Sequence, residues 1–191
     1  MVLALGGSTR AQSTSEAALR IAARGAELAG AEVRILSGRD LMLPIYDPDS
    51  AERTPDARRL LGLVRDADGL IIVSPGYHGG LSGLVKNALD YLEDLRDAGG
   101  STPKGAYLDG RAVGCTAVAH GWQAAVGTLH QLRQVVHALR GWPTPYGAVV
   151  NSSEVRLDDP ASAPTAVEQL HLVGRQVVEF ARMRIAYGGT A

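Results

Sequence analysis

A run of hydroxyl side chains around one arginine, Ser8-Thr9-Arg10-Ala11-Gln12-Ser13-Thr14-Ser15, follows an apolar Val2-Leu3-Ala4-Leu5 and a Gly6-Gly7 pair. These are the residue types of an anion site. Hydroxyls donate to phosphate oxygens, a guanidinium meets them with a planar fork, and a helix capped by Ser13 or Thr14 turns its free N–H groups toward the same place. The same residues also describe an ordinary capped helix beside a solvated arginine, and the turn alone leaves both readings open. Neither G-x-G-x-x-G after this strand nor G-x-x-x-x-G-K-[ST] occurs, which removes a Rossmann dinucleotide site and a P-loop. Hydroxyls with a single arginine suit one phosphate monoester.

Two further stretches offer backbone more than side chains. Pro75-Gly76-Tyr77-His78-Gly79-Gly80 follows the aliphatic run Leu70-Ile71-Ile72-Val73, and His120-Gly121-Trp122 follows another apolar run, Ala112-Val113-Gly114-Cys115-Thr116-Ala117-Val118. His78 is the candidate proton donor by its reach and titration range, the alternative being a loop histidine that only hydrogen-bonds. Trp122 can cover a ligand or pack at the base of its loop. Lys86 and Asn87 can approach a ligand or hold the turn before them. No metal-ligand set is expected.

The elements that must position these loops are legible in the apolar pattern. Residues 70–73, aliphatic without polar alternation, read as a strand buried on both faces, the mark of a parallel sheet. Residues 2–5 and the alternating Glu32-Val33-Arg34-Ile35-Leu36 read as two more strands, residues 111–119 as a fourth and 146–150 as a fifth. Between them, apolar residues at helical spacing predict helices from about Ser15, from Pro55 behind a Thr54 cap, from Leu81 to about Arg96, from Ala124 through Leu139 after a His120-Gly121-Trp122-Gln123 loop, and from Ala166 to about Met183. Residues 97–105, rich in Gly and Ser, have the composition of a mobile lip. The whole is expected to be a three-layer α/β sandwich, a five-stranded parallel sheet with helices on both faces. It forms one domain over residues 1–187, with a disordered tail at 188–191. A switch point between the first and third strands gathers the loops after strands one, three and four into one crevice, which tips the hydroxyl turn toward a phosphate site.

Composition narrows the function. A net charge of −1 without a basic run argues against nucleic acid and against the strongly acidic surface of a diffusing electron carrier. No apolar stretch approaches the roughly 20 residues of a membrane helix, and a cytoplasmic protein with no membrane partner is expected. The single cysteine, Cys115, reads as a small buried hydrophobe.

Taken together, Gly7-Ser8-Thr9-Arg10-x-x-Ser13, Leu43-Pro44-x-Tyr46-Asp47 and Ser74-Pro75-x-Tyr77-x-Gly79-x-x-x-Gly83-x-x-Lys86-Asn87-Ala88-x-Asp90 resemble the NADPH-dependent FMN reductase family of flavodoxin-like proteins, from Ala4 to about Val150. The resemblance implies FMN as cofactor and NADPH or NADH as reductant. It implies that Ser8, Arg10, Ser13, Thr14 and Ser15 hold the FMN phosphate. Pro75, Gly76, Tyr77, His78, Gly79 and Gly80 would follow the isoalloxazine edge, and His120, Gly121 and Trp122 would close the other edge. Relatives often carry Glu-Tyr-Asn where this chain has Gly76-Tyr77-His78, and Gly-Gly where it has Gly121-Trp122, so the departures fall on the substrate side. A homodimer or homotetramer is implied, with the apolar helix bearing Tyr91 and Leu92 as a candidate interface. Relatives that release FMN to a flavin-dependent monooxygenase carry an extra aromatic after the third loop; residues 124–139 have none, which favours retained FMN.

The first expectation is therefore an FMN-dependent oxidoreductase that takes hydride from NAD(P)H and reduces a flavin, quinone or similar small acceptor. The alternatives are an FMN-dependent dehydrogenase of a biosynthetic intermediate, reoxidised by oxygen, and a flavodoxin-like electron-transfer protein. The chemistry asks little of side chains, because the flavin carries the electronics.

Overall fold

The computed structural model describes residues 1–96 and 106–188. The chain runs β1 (Val2–Gly6), α1 (Thr14–Leu28), β2 (Val33–Ser37), α2 (Pro55–Asp66), β3 (Gly69–Tyr77), β4 (Gly80–Leu81), α3 (Gly83–Asp90), β5 (Ala112–Ala119), α4 (Trp122–Ala138), β6 (Trp142–Pro143), β7 (Ala148–Asn151) and α5 (Pro164–Gly188). The expected lip at 97–105 lies outside the described residues, as do residues 189–191 of the expected tail; Gly188 itself ends α5.

The strands pair in the order β2-β1-β3-β5-β6, with β4 on β3 and β7 on β5. All pairings are parallel except that of β4 with β3. The sheet thus has seven strands where five were expected, and the two extras have separate causes. The fifth strand is split. Trp142 and Pro143 pair with Ala112 and Val113, and Ala148–Asn151 pair with Thr116 through Ala119. Between them Pro145 has no N–H to give the ladder, so the strand breaks there and resumes on the same edge. The other extra, β4, turns the expected glycine loop into a hairpin.

Alternation along the buried strands divides the core into two layers. Leu3, Leu5, Leu70, Ile72, Val113 and Cys115 face α2, α3 and α4. Val2, Ala4, Ile71, Val73 and Val118 face α1 and α5. Cys115 is fully buried, and burial pushes its thiol up to about 12, so it stays a neutral packing residue. The small-residue face of α1 is explained by its partner: a Cβ on Gly174 of α5 would stand 2.0 Å from the Ala22 carbonyl oxygen. Among the described residues no helix is long and apolar enough to cross a membrane.

The hairpin is fastened to α4. In it Gly76 faces Leu81 and Tyr77 faces Gly80, leaving His78 and Gly79 as a two-residue turn, both at positive φ (53° and 81°). This is the conformation that matches the right-handed twist of the strands. The Thr128 hydroxyl donates to the Gly80 carbonyl at 3.4 Å and Gln131 Oε1 accepts from Leu81 N at 2.6 Å. A Cβ on Gly76 would meet Thr128 Oγ1 at 2.4 Å and Ala119 Cβ at 3.1 Å. Gly76→Ala is therefore expected to destabilise the protein by about 1–3 kcal/mol through overpacking. Gly76→Ala with Thr128→Ala should recover most of that loss, as read from the two midpoints in urea.

Candidate functional site

The turn after β1 gathers hydrogen-bond donors of the kind an anion would need. Ser13 caps α1, its Oγ accepting from Glu16 N at 3.1 Å, and Ser8 Oγ accepts from Arg10 N at 3.2 Å, which curls the turn. The Ser8 hydroxyl hydrogen stays available for donation outward, the Ser13 hydroxyl shares a hydrogen bond with Ser15 in which either can donate, and the N–H groups at the start of α1 have no partner within their helix. Arg10 is exposed and has no acidic partner among the described residues. Glu16, the acidic residue of that turn, is neutralised by Arg20, whose Nη2 donates to Glu16 Oε1 at 2.8 Å. Ser15 is buried, 3.2 Å from Ser13 Oγ, and so supports the cap from beneath. Hydroxyls, helix N–H groups and an uncommitted guanidinium are the donor set a phosphate monoester fits.

The other two loops leave the same sheet edge. Pro75 is buried, Gly76, Gly79 and Gly80 are half-buried, and Tyr77 and His78 are exposed. Ser74, fully buried, accepts from Ser82 N at 3.1 Å and donates to the Pro75 carbonyl at 2.9 Å, fixing the base of the hairpin. After β5, His120 is exposed and Gly121 opens α4 with φ 123°. Asn151, buried at the end of β7, accepts from Gly121 N at 2.8 Å. Its Oδ1 also takes Ser153 N and Oγ, and its Nδ2 donates to Glu154 Oε1 at 2.6 Å. The same Glu154 oxygen accepts from Trp122 Nε1 at 3.0 Å. Gly121 therefore offers its open Cα side and not its N–H, and the indole is drawn toward the loop after β7.

A fourth wall comes from residues 43–46. Asn87 accepts from Tyr46 N at 2.8 Å and donates to the Leu43 and Pro44 carbonyls at 3.3 and 2.8 Å; the Tyr91 hydroxyl donates to Pro44 O at 3.0 Å. Arg53 grips both Asp94 oxygens, at 2.6 and 2.9 Å, while its guanidinium lies over the rings of Tyr46 and Tyr91. The Tyr46 hydroxyl also donates to Asp94 at 3.1 Å. Asn87 thus holds the loop, and Lys86 pairs with Asp90 at 2.6 Å. Tyr91 and Leu92 are buried inside the monomer, so the apolar excess read as an interface is consumed by the chain itself.

The NADPH-dependent FMN reductase family model matches residues 1–155. The chain belongs to the NADPH-dependent FMN reductase family. That family is described by NADPH-dependent reduction of FMN. Among curated proteins it is 43% identical over 51 residues to the NADPH azoreductase of a Bacillus species, covering 26% of this chain and 29% of that protein. It is 36% identical over 91 residues to the NADPH-dependent FMN reductase ArsH of Shigella flexneri, covering 48% and 35%. The matches thus span about a third of those relatives. Among solved structures, a flavodoxin, the WrbA-like protein from Agrobacterium tumefaciens, superposes with a TM-score of 0.66 at 16% identity over 96% of this chain and 98% of that one. That likeness shows the flavodoxin-like fold.

Within this FMN reductase-family chain, sequence reasoning missed the fasteners behind the loops: Asn151 with Glu154, and Arg53 with Asp94. The first had a signal, an Asn with Ser two residues on at the end of a strand, which reads as an Asx turn; the second joins residues 41 apart and had none. A concavity of about 690 Å³ between α1 and α5, bordered by Leu28, Tyr146 and Leu172, contains none of the loop residues and is not a candidate for this site.

Asp94 supplies a pH test. The Arg53 guanidinium, with the Tyr46 hydroxyl, holds its carboxyl below the usual carboxylate range. A depressed native pKa adds stability above the unfolded value of about 4, and that stability is lost as pH falls through the native value. Asp94→Asn is expected to lower stability at pH 7 by about 1–2 kcal/mol. The difference from wild type should close in urea denaturation as pH drops below about 4.

Proposed function

We propose that the protein is an FMN-dependent reductase that takes hydride from NAD(P)H and passes electrons to a flavin, quinone or similar small acceptor. One observation carries the reading. The anion cradle after β1 opens on the same sheet edge as the backbone-lined hairpin after β3 and the loop after β5, in a chain of this family. The two-electron chemistry is supplied by FMN, which accepts hydride from a reduced nicotinamide. The chain's own part is to bind, orient and shield. Ser8, Ser13 and Thr14 donate to the ester phosphate and Arg10 balances its charge, with Ser15 behind them. Residues 75–80 border the ring with backbone, and residues 120–122 close its far edge. His78, exposed at the hairpin tip, can hold a proton for an acceptor that needs one. Met42 and Ile45, 63% and 83% exposed beside the clamped fourth wall, support self-association there, in place of Tyr91 and Leu92.

Purified protein is expected to be yellow. Under anaerobic conditions NADPH alone should bleach its visible flavin absorbance; a flavin left oxidised by both NADPH and NADH would defeat the reductase reading and leave an electron carrier or an oxidising dehydrogenase. Arg10→Ala should weaken FMN binding about 10- to 100-fold, the loss of one charge-assisted contact worth about 1.5–3 kcal/mol, as measured by flavin fluorescence titration.

A further inference from the structure

A cleft of about 850 Å³ lies between the start of α1 and the loop that leads from β7 to α5. Ser13, Thr14 and Arg20 form one wall; Ser152, Arg156 and Asp158 form the other. Because Ser13 and Thr14 also belong to the anion cradle, a ligand in the cleft lies directly beside whatever the cradle holds. Its volume falls in the range of small-molecule sites, about 300–1,000 Å³, and exceeds what an ester phosphate needs.

The lining has the chemistry of a second phosphate site. Arg20 and Arg156 stand on opposite walls with side chains 59% and 80% exposed. Each is steadied by a carboxylate of its own wall: Arg20 Nη2 donates to Glu16 Oε1 at 2.8 Å, and Arg156 Nη2 to Asp158 Oδ2 at 2.7 Å. Exposed pairs of this kind hold the guanidinium only loosely, and a guanidinium has five N–H donors, so each arginine can keep its carboxylate and still turn a free edge toward a phosphate. The hydroxyls of Thr14 and Ser152 are without a hydrogen bond among the described residues.

Resting on the reductase reading above, we propose that this cleft receives the adenosine end of the nicotinamide dinucleotide, and that Arg156, with Arg20 opposite, reads the 2′-phosphate that distinguishes NADPH from NADH. The nicotinamide must lie on the flavin ring, so the far end of the molecule needs a seat beside the cradle, and the cleft adjoins it. Arg156 is then a specificity-determining residue, and Asp158 keeps its fork open when no phosphate is present.

The test is calorimetric titration of the protein in excess FMN with 2′,5′-ADP, 5′-AMP and inorganic phosphate. Wild type is expected to bind 2′,5′-ADP at least tenfold more tightly than 5′-AMP and far more tightly than phosphate. Arg156→Ala should bring the two nucleotides to within about twofold of each other while the FMN dissociation constant stays within twofold of wild type. Equal binding of both nucleotides by wild type, a preference untouched by Arg156→Ala, or phosphate competing as well as 2′,5′-ADP would overturn the assignment. So would a weakened FMN affinity in Arg156→Ala, because the cleft would then belong to the flavin. Selective 2′,5′-ADP binding by a protein whose flavin NADPH does not bleach would uphold the cleft and sink the reductase reading, so the two failures are separable.

Discussion

The ends of β1 and β3 approach so closely that no side chain fits between them, and the candidate site depends on that approach. Gly7 N donates to the Val73 carbonyl at 3.1 Å, one step beyond the last residue of β1. A Cβ on Gly6, where φ is 141°, would stand 1.9 Å from that same oxygen. The chain therefore leaves the sheet directly above the strand that ends in the hairpin, and the hydroxyl turn and the glycine backbone become neighbours although more than sixty residues separate them. A larger residue at position 6 would need the β conformation and more room, and either change would swing the turn away from β3. The reversal of strand order at β1 and β3 supplies the crevice; this contact sets how narrow it is.

What keeps three walls of the crevice in place is a set of polar side chains behind them, one for each of the three. Ser74 spans the base of the hairpin, Asn87 takes three backbone groups of residues 43–46, and Asn151 takes the N–H groups of Gly121 and Ser153. Each uses donors and acceptors that irregular backbone would otherwise leave unsatisfied, and an unsatisfied buried group costs about 1–3 kcal/mol. A cofactor that performs the chemistry itself asks the protein for a fixed shape and well-aimed donors, not for a strong acid or base. Rigid loops on an inert parallel sheet meet that demand.

The sequence made most of the scaffold legible because its signals are local. Unbroken aliphatic runs marked the strands, a Thr54-Pro55 pair marked the start of α2, and Ser13 marked the cap of α1. Two strands were missed where a local rule was outweighed by pairing. Pro75 and three glycines read as a loop, yet the hydrogen bonds from α4 pull Gly76 and Tyr77 into a hairpin. Residues 140–145, with Pro143 and Pro145, lie between a helix expected to end at Leu139 and a strand expected from Tyr146, yet the free edge of β5 captured Trp142 and Pro143. Tyr91 looked like an interface residue because its ring is large and apolar; its hydroxyl, bonded to Pro44 O, belongs to a loop that nothing in the local pattern ties to it. The hydroxyl cradle could be read because its members lie within eight residues, whereas Arg53 reaches Asp94 across 41 residues and Asn151 reaches Gly121 across 30.

Gly76, His78 and Trp122, the positions where the resemblance leads one to expect other residues, have physical explanations that differ from one another. Gly76 answers to Thr128: with the α4 hydroxyl where a Cβ would stand, a longer side chain there would force the hairpin off the helix. His78 occupies a positive-φ turn position, a conformation that His, like Asn, enters more readily than most residues, and its imidazole stands exposed at the tip. Trp122 answers to Glu154, which turns the indole toward the loop after β7. Two of the three changes thus adjust the walls to neighbours outside the crevice, and only the histidine places a new titratable group at its mouth. The Glu154 oxygen that takes the indole also takes Asn151, which in turn takes the Gly121 N–H, so the loop after β5 and the loop after β7 are tied to each other by shared hydrogen bonds.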